Sequence, residues 1–144
     1  MKISIVMTVY NGEKYLQNQI DSFLNQTKLP DEIIIADDCS SDKTEEILKT
    51  YEKNNTIDFK IYRNQMNMGF TKNFENAIYK STGDIILLSD QDDVWYDEKI
   101  ETLVNKFEEN PNTLLIIHDA DLVNEDLEKS KLSAISQINS GFSK

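Results

Sequence analysis

Apolar and polar positions alternate along the chain in blocks that predict strands and helices in turn. Five short apolar runs, several of them rich in β-branched residues, have the composition of buried strands. These predicted strands lie at 2–9, 32–36, 58–62, 84–88 and 113–117. Between them apolar residues recur at helical spacing, which predicts amphipathic helices at 13–26, 42–53, 70–80 and 97–109.

Strands that alternate with helices predict a mostly parallel, open sheet covered on both faces, a three-layer α/β/α arrangement. Ligands of such sheets bind at the carboxyl ends of the strands. Polar clusters follow four of the predicted strands, at 8–11, 37–41, 89–93 and 118–121. We therefore expect these clusters to converge at one edge of the sheet and to form the functional site.

The C-terminal end of the chain breaks this pattern. Residues 1–128 carry the predicted elements and are interpreted as one domain. Residues 129–144 are Ser-rich and weakly apolar, and they are expected to form a poorly ordered tail or the start of a missing further part. The predicted sheet is therefore incomplete at its C-terminal end.

The net charge of −11 limits the partners of the chain. Non-specific nucleic-acid binding depends on Lys and Arg contacts to phosphate, so it is not expected. A phosphate-bearing ligand would need a local cation, either a metal ion or a placed basic side chain. No apolar run approaches the roughly 20 residues of a membrane span. The single cysteine excludes an internal disulfide, and the cytoplasm is the expected compartment.

Several chemistries are excluded by residues that the sequence lacks. Because His118 is the only histidine and Cys39 the only cysteine, multi-histidine and thiolate zinc sites are excluded. What remains is a carboxylate site: Asp90 and Asp92 follow a predicted strand, two residues apart, and such hard ligands suit Mg²⁺ or Mn²⁺. The alternative is a solvated acidic loop that caps the helix at 97–109, but the position after a buried strand favours the metal site.

Three segments resemble, in order, the motifs of family 2 glycosyltransferases with the GT-A fold. They are SIVMTVYNGEKYLQNQIDSFLNQT, PDEIIIADDCSSDKT and NQMNMGFTKNFENAIYKSTGDIILLSDQDD. The likeness covers residues 2 to about 125, and SDQDDVW with the later HDADLV is most similar to the rhamnosyltransferase-like branch. The resemblance implies inverting, metal-dependent transfer of a sugar from a nucleotide-diphospho-sugar donor to a glycan or lipid-linked acceptor in polysaccharide assembly.

The resemblance also implies roles for individual residues. Asp38 matches the carboxylate that reads the nucleotide base, and Lys72 stands where many members have an Arg near the nucleotide or its phosphates. Asp92 matches the direct metal ligand, and Asp90 matches its partner in the metal site, nearer the ribose. The nucleotide-binding residues implied in this way are Thr8, Tyr10, Asn11, Asp38, Lys72 and Asp90.

Other conspicuous residues are interpreted as structural. Trp95 is expected to pack behind the acidic loop, and Arg63 to serve a local ion pair. Asn67 and Gly69 are expected to enter a turn with positive φ. His118 is expected to be a structural residue at a strand end, since it has no partner histidine.

No residue is assigned as the catalytic base that an inverting transfer requires. The resemblance places that carboxylate in an acceptor half beyond the Asp-x-Asp loop. The hypothesis is that this chain carries the donor-binding half, works at or near the inner face of the membrane without a span of its own, and is able to form a homodimer. The alternatives are a non-catalytic nucleotide-binding or interaction domain, and a different Mg²⁺ enzyme, which is disfavoured because the first strand ends without an acid.

Overall fold

A computed structural model describes residues 1–54, 56–124 and 126–133 of the protein. The chain divides into two compact units, the first spanning Met1–Glu109 and the second beginning at Asn110. In the first unit strands and helices alternate. Its strands are β1 (Ile3–Val9), β2 (Glu32–Asp37), β3 (Asp58–Arg63) and β4 (Ile85–Ser89). Its helices are α1 (Leu16–Leu24), α2 (Thr44–Asn54), α3 (Phe70–Ile78) and α4 (Lys99–Glu109).

The four strands of the first unit form one sheet in the order β3-β2-β1-β4, and all three ladders are parallel. Every residue of the two central strands β1 and β2 is buried. A strand covered on both faces needs a continuous apolar run, which is the signature from which these two strands were predicted. At the edge strand β4 burial alternates, and Ile86 and Leu88 remain exposed.

Helices cover the sheet with apolar faces. The helix α3 places Ala77 against Val6 and Ile34 of the central strands. The helix α1 buries Phe23 completely, and its ring meets the edge of Trp95 with the centroids 4.7 Å apart. Trp95 is only 4% exposed, so the prediction that it packs behind the acidic loop is confirmed.

The amino-terminal edge of the sheet holds a buried carboxylate, Glu32, at the start of β2. Its Oε1 accepts hydrogen bonds from Ser4 Oγ and Thr82 N, both at 2.6 Å, and its Oε2 accepts one from Lys60 Nζ at 2.6 Å. Burial alone would raise the pKa of Glu32, but these hydrogen bonds outweigh it and lower the pKa to about 2. A Cβ at Gly83 would lie 2.5 Å from Ser4 Oγ, so only glycine fits beside this network.

The second unit departs from the prediction. Residues 113–117, predicted as a fifth strand, form no strand, and Leu114 is 96% exposed. An apolar run becomes a strand only where a neighbouring strand pairs with it, and the run itself carries no information about that partner. His118 is exposed in this non-strand segment, so its predicted place at a strand end is wrong.

Two strands that were not predicted occur in the second unit. They are β5 (Asp121–Val123) and β6 (Lys129–Ser133), which pair antiparallel. The rest of the predicted tail, 134–144, lies outside the described residues. Where the structure describes the chain, it contains no helix of the length and apolarity needed to cross a bilayer.

Candidate functional site

A cavity of about 550 Å³ opens at the carboxyl ends of β1, β2 and β4. Its walls include Thr8 near the end of β1 and Tyr10 just after it, Asp38 after β2, and Asp90 and Asp92 after β4. Three of the four predicted polar clusters therefore converge, as the rule for parallel sheets requires. The fourth cluster, 118–121, belongs to the second unit.

Asp38 lines this cavity and also anchors the loop at 64–69. It is 3% exposed. Its Oδ1 accepts hydrogen bonds from Asn64 Nδ2 at 2.7 Å and Met68 N at 2.8 Å, and its Oδ2 accepts one from Gly69 N at 2.9 Å. A carboxylate offers about four acceptor positions, so about one remains for a ligand. The carboxylate is thus rigidly held.

The loop at 64–69 is fixed from a second side by α3. Asn73 is 2% exposed and donates through Nδ2 to the carbonyl of Ala36 at 2.8 Å, while its Oδ1 accepts from Asn64 Nδ2 at 2.9 Å. Gly69 has φ of 81°, as predicted, whereas Asn67 does not have a positive φ, so its part of that prediction is wrong. Sequence reasoning missed Asn64, the first residue of the predicted loop, and Asn73, in the first turn of the helix that follows it.

The acidic loop, residues 90–93, carries charge that the protein leaves largely uncompensated. Burial raises the pKa of Asp90, and the nearby charges of Asp93 and Asp92 raise it further. Within the described part of the chain no three acidic, histidine or cysteine side chains form a complete metal site. The donor set fits Mg²⁺ or Mn²⁺ in the usual way, in which one or two carboxylates bind the ion and water and phosphate supply the other ligands.

One lysine lies beside the acidic loop. The Nζ of Lys99, the first residue of α4, lies 3.9 Å from the ring centroid of Trp95. Burial lowers the pKa of Lys99 to about 8, and the charge of Asp93 opposes that shift. A cation held on an aromatic face in this way offsets part of the negative charge of the loop.

Hydrogen bonds connect α1 to the start of the acidic loop. Gln19 is fully buried, and its Nε2 donates to Ser89 Oγ at 2.7 Å. The Ser89 hydroxyl in turn donates to the carbonyl of Asp90 at 2.9 Å. Gln19 Oε1 has no hydrogen-bond partner in the described structure.

The loop at 10–13 is tied to its neighbours by four successive backbone amides. Each donates to a side chain: Tyr10 N to Gln91 Oε1, Asn11 N to Ser40 Oγ, Gly12 N to Thr44 Oγ1 and Glu13 N to Asp42 Oδ2. Asn11 has φ of 50°, and its own side chain accepts from Ser41 N at 2.9 Å. The backbone amide and the side-chain oxygen of Asn11 thus both bind the loop that contains Ser40 and Ser41.

The structure gathers most, but not all, of the predicted site residues. Thr8, Tyr10, Asp38, Asp90 and Asp92 line the cavity, and their contacts with nucleotide or metal stay predictions.

Two other predicted site residues, Asn11 and Lys72, do not line the cavity. Lys72 Nζ pairs with Glu75 at 2.7 Å, which raises the pKa of the lysine. Arg63 forms the predicted local ion pairs, with Glu45 and, at 3.7 Å, with Asp37 Oδ2.

Comparison with known proteins places this architecture in a family. The model of Glycosyl transferase family 2 matches residues 4–139. An uncharacterized glycosyltransferase of Nostoc sp. is 31% identical over 124 residues, which is 85% of this chain and 38% of the relative.

Two solved structures share the fold. TarS 1-349 of Staphylococcus aureus in complex with UDP-GlcNAc superposes with a TM-score of 0.71 at 24% identity, over 85% of this chain and 40% of that one. The mannosyltransferase PcManGT of Pyrobaculum calidifontis, in complex with GDP-Man and Mn²⁺, gives a TM-score of 0.68 at 16% identity, over 85% and 36%. The chain therefore spans about two fifths of the length of these relatives.

Proposed function

The chain belongs to glycosyl transferase family 2, and from this premise we propose that its cavity binds the nucleotide-diphospho-sugar donor of a glycosyl transfer. The GT-A-type fold predicted from the sequence is confirmed. One observation carries the proposal: Asp38 and the pair Asp90 and Asp92 line the same cavity, although they follow different strands. Its volume of about 550 Å³ falls within the usual range for small-molecule sites, roughly 300–1,000 Å³.

In this proposal Asp90 and Asp92 hold a divalent cation, Mn²⁺ or Mg²⁺. Burial and the charges of Asp93 and Asp92 raise the pKa of Asp90, and a bound cation would relieve that repulsion. An ion held by Asp90 and Asp92 would supply positive charge for the diphosphate leaving group. It would also let a protein of net charge −11 accept an anionic ligand.

The other cavity residues bind and orient the nucleotide. Asp38 presents about one remaining acceptor position, enough for one ring N–H of a base. Because three protein donors already fix this carboxylate, little conformational freedom is lost when a ligand binds. Thr8, near the end of β1, and Tyr10, just after it, form the adjoining wall.

The class of donor is supported by fold-level likeness. Crystal structures of TarS hold UDP and UDP-GlcNAc, and the structure of the mannosyltransferase PcManGT is a complex with GDP-Man and Mn²⁺. We propose a nucleotide sugar for this chain too, with an acceptor of glycan or lipid-linked type, inverting stereochemistry and a role in polysaccharide assembly.

No general base is assigned, and we propose that the isolated chain binds donor but transfers sugar poorly. A non-catalytic interaction domain is a weaker candidate, because a surface without a ligand gains nothing from three crowded carboxylates whose repulsion opposes folding.

A binding experiment tests the donor site. UDP, GDP, dTDP and CDP are titrated into the folded chain by calorimetry, with and without Mn²⁺. We expect at least one to bind in a metal-dependent way, and Asp92→Asn to weaken that binding roughly a hundredfold or more. Glu98→Gln, which removes an equal charge from an exposed position outside the cavity, is the matched control. Metal-independent binding, or none by any nucleotide, would contradict the proposal.

A further inference from the structure

Gln91, the residue between the two carboxylates of the Asp-x-Asp sequence, binds the backbone of another loop. Tyr10 N donates to Gln91 Oε1 at 2.8 Å, and Gln91 Nε2 donates to the carbonyl of Tyr10 at 3.3 Å. A single side-chain amide thus satisfies both backbone groups of one residue. The two residues lie 81 positions apart in the sequence.

This pairing extends the sheet beyond the end of its strands. The ladder between β1 and β4 ends at the pair Met7 and Ser89. A side-chain amide carries one donor and one acceptor, as a peptide group does, so Gln91 replaces the backbone partner that β4 no longer offers. On the other side of the same loop, Asp38 N donates to the carbonyl of Val9 at 2.8 Å.

The space that Gln91 occupies depends on a glycine. A Cβ placed on Gly12 would lie 2.8 Å from Gln91 Oε1 and 2.7 Å from Val9 Cγ2. These distances are shorter than real Cβ contacts, so any larger residue at this position would displace the Gln91 side chain or the loop. The position of the Gln91 side chain therefore depends on the absence of a side chain at Gly12.

We propose that Gln91 is a positioning residue, a clamp that fixes the loop at 10–13 against the acidic loop. Asp90 and Asp92 flank Gln91 and repel one another, which favours spreading of the acidic loop. The two hydrogen bonds to Tyr10 oppose that spreading and hold the cavity walls in place before a ligand binds. The effect of the clamp on ligand binding rests on the proposed function, whereas the clamp itself does not.

Hydrogen exchange measured by NMR tests the clamp without any ligand. Gln91→Met keeps the length of the side chain and removes both bonds, and Gln91→Glu keeps the acceptor for Tyr10 N. Since one hydrogen bond is worth roughly 1 kcal/mol, we expect the Tyr10 amide to exchange about fivefold faster in Gln91→Met. It should remain protected in Gln91→Glu, which is the conservative rescue. Gly12→Ala should reproduce the loss of protection.

Nucleotide binding then tests the consequence for the site. With Mn²⁺ present, the dissociation constant of the nucleotide that binds best should rise about five- to tenfold in Gln91→Met. Gln17→Met, which changes an exposed glutamine of α1, is the matched control and should change neither exchange nor affinity.

The outcomes separate the clamp from the donor site. Equal exchange of the Tyr10 amide in wild type and Gln91→Met would overturn the clamp. Faster exchange with unchanged affinity would overturn its positioning role. If the wild-type chain bound no nucleotide, the proposed function would fail, while the exchange rates would still decide whether the clamp exists.

Discussion

Carboxylates lie at both the amino-terminal and the carboxyl edge of the four-stranded sheet, that is, at the two ends of its parallel strands. Their pKa values are shifted in opposite directions. At the amino-terminal edge Glu32 is fully buried, yet hydrogen bonds led by that from Lys60 outweigh the effect of burial and lower its pKa to about 2. At the carboxyl edge burial and the charges of Asp93 and Asp92 raise the pKa of Asp90. The charge of Glu32 is compensated by Lys60, whereas Asp90 lies beside two further carboxylates.

This contrast distinguishes a carboxylate that stabilises the sheet from the pair that is proposed to bind a cation. Glu32 has a partner for each oxygen and is connected to all four strands or their flanking residues, so it holds the sheet together. The charges of Asp93 and Asp92 repel that of Asp90, and this repulsion opposes folding. Groups that destabilise the free protein in this way are typical of binding sites.

The largest effect is expected from breaking the compensated edge. Glu32→Leu leaves the hydroxyl of Ser4 and the amide of Thr82 without their acceptor and removes the buried one of the two carboxylates that pair with Lys60. Leaving a buried donor without its acceptor costs about 1–3 kcal/mol of unfolding free energy, and Glu32→Leu does this at two donors. Urea unfolding measures this loss.

The matched control at this edge is Asp58→Asn. Asp58 also pairs with Lys60, at 3.1 Å, but its side chain is 59% exposed, so little change is expected. Equal losses of unfolding free energy in Glu32→Leu and Asp58→Asn would show that the buried hydrogen bonds of Glu32 add no stability beyond a surface ion pair.

At the carboxyl edge the effect should fall on binding and leave stability nearly unchanged. Asp92→Asn removes a proposed metal ligand and relieves repulsion on Asp90. We expect metal-dependent nucleotide affinity to fall roughly a hundredfold or more, since even outer partners of metal ligands contribute 10- to 100-fold. Calorimetry measures the affinity, and urea unfolding should show equal or slightly higher stability. A clear loss of stability would make Asp92 a structural residue and remove the contrast between the edges.

The pH dependence of stability should have opposite signs at the two edges. Glu32 has a lowered pKa in the folded state, so its contribution is present above its ordinary pKa of 4.5 and is lost as the pH falls towards about 2. Asp90 has a raised pKa, so stability falls as the pH rises from its ordinary value of 3.8 through the raised one.

Unfolding curves between pH 2 and pH 7 for Glu32→Gln and Asp90→Asn measure these two contributions. Glu32→Gln should lose less stability on acidification than the wild type does, and Asp90→Asn should be relatively more stable near neutral pH. If both substitutions raised, or both lowered, the free energy of unfolding near neutral pH relative to the wild type, the contrast between the two edges would be contradicted.

The sequence predicts those parts of the fold whose residue pattern depends only on their own burial. The strands β1 and β2 were predicted because burial on both faces demands an unbroken apolar run. The run at 113–117 has a similar composition but forms no strand, since pairing depends on a partner elsewhere in the chain.

The same distinction applies within the candidate site. Asp38, Asp90 and Asp92 were identified because carboxylates that directly follow apolar strands are conspicuous in the sequence. The role of Gln91 was missed, because an amide side chain looks the same in a sequence whether it faces water or binds a backbone 81 residues away.

The smallest expected effect concerns Lys99, the cation that partly compensates the carboxyl edge. Its ammonium group lies on the ring of Trp95, and burial lowers its pKa to about 8, so it is mostly charged at pH 7 and mostly neutral at pH 9. A charge this close to the acidic loop opposes a second cation, so Lys99→Met should raise Mg²⁺ affinity about two- to threefold at pH 7. In the wild type the same gain should appear as the pH rises from 7 to 9, and in Lys99→Met it should be absent. Weaker Mg²⁺ binding in the variant would mean that Lys99 supports the metal site, and the carboxyl edge would then be compensated from within, as the amino-terminal edge is.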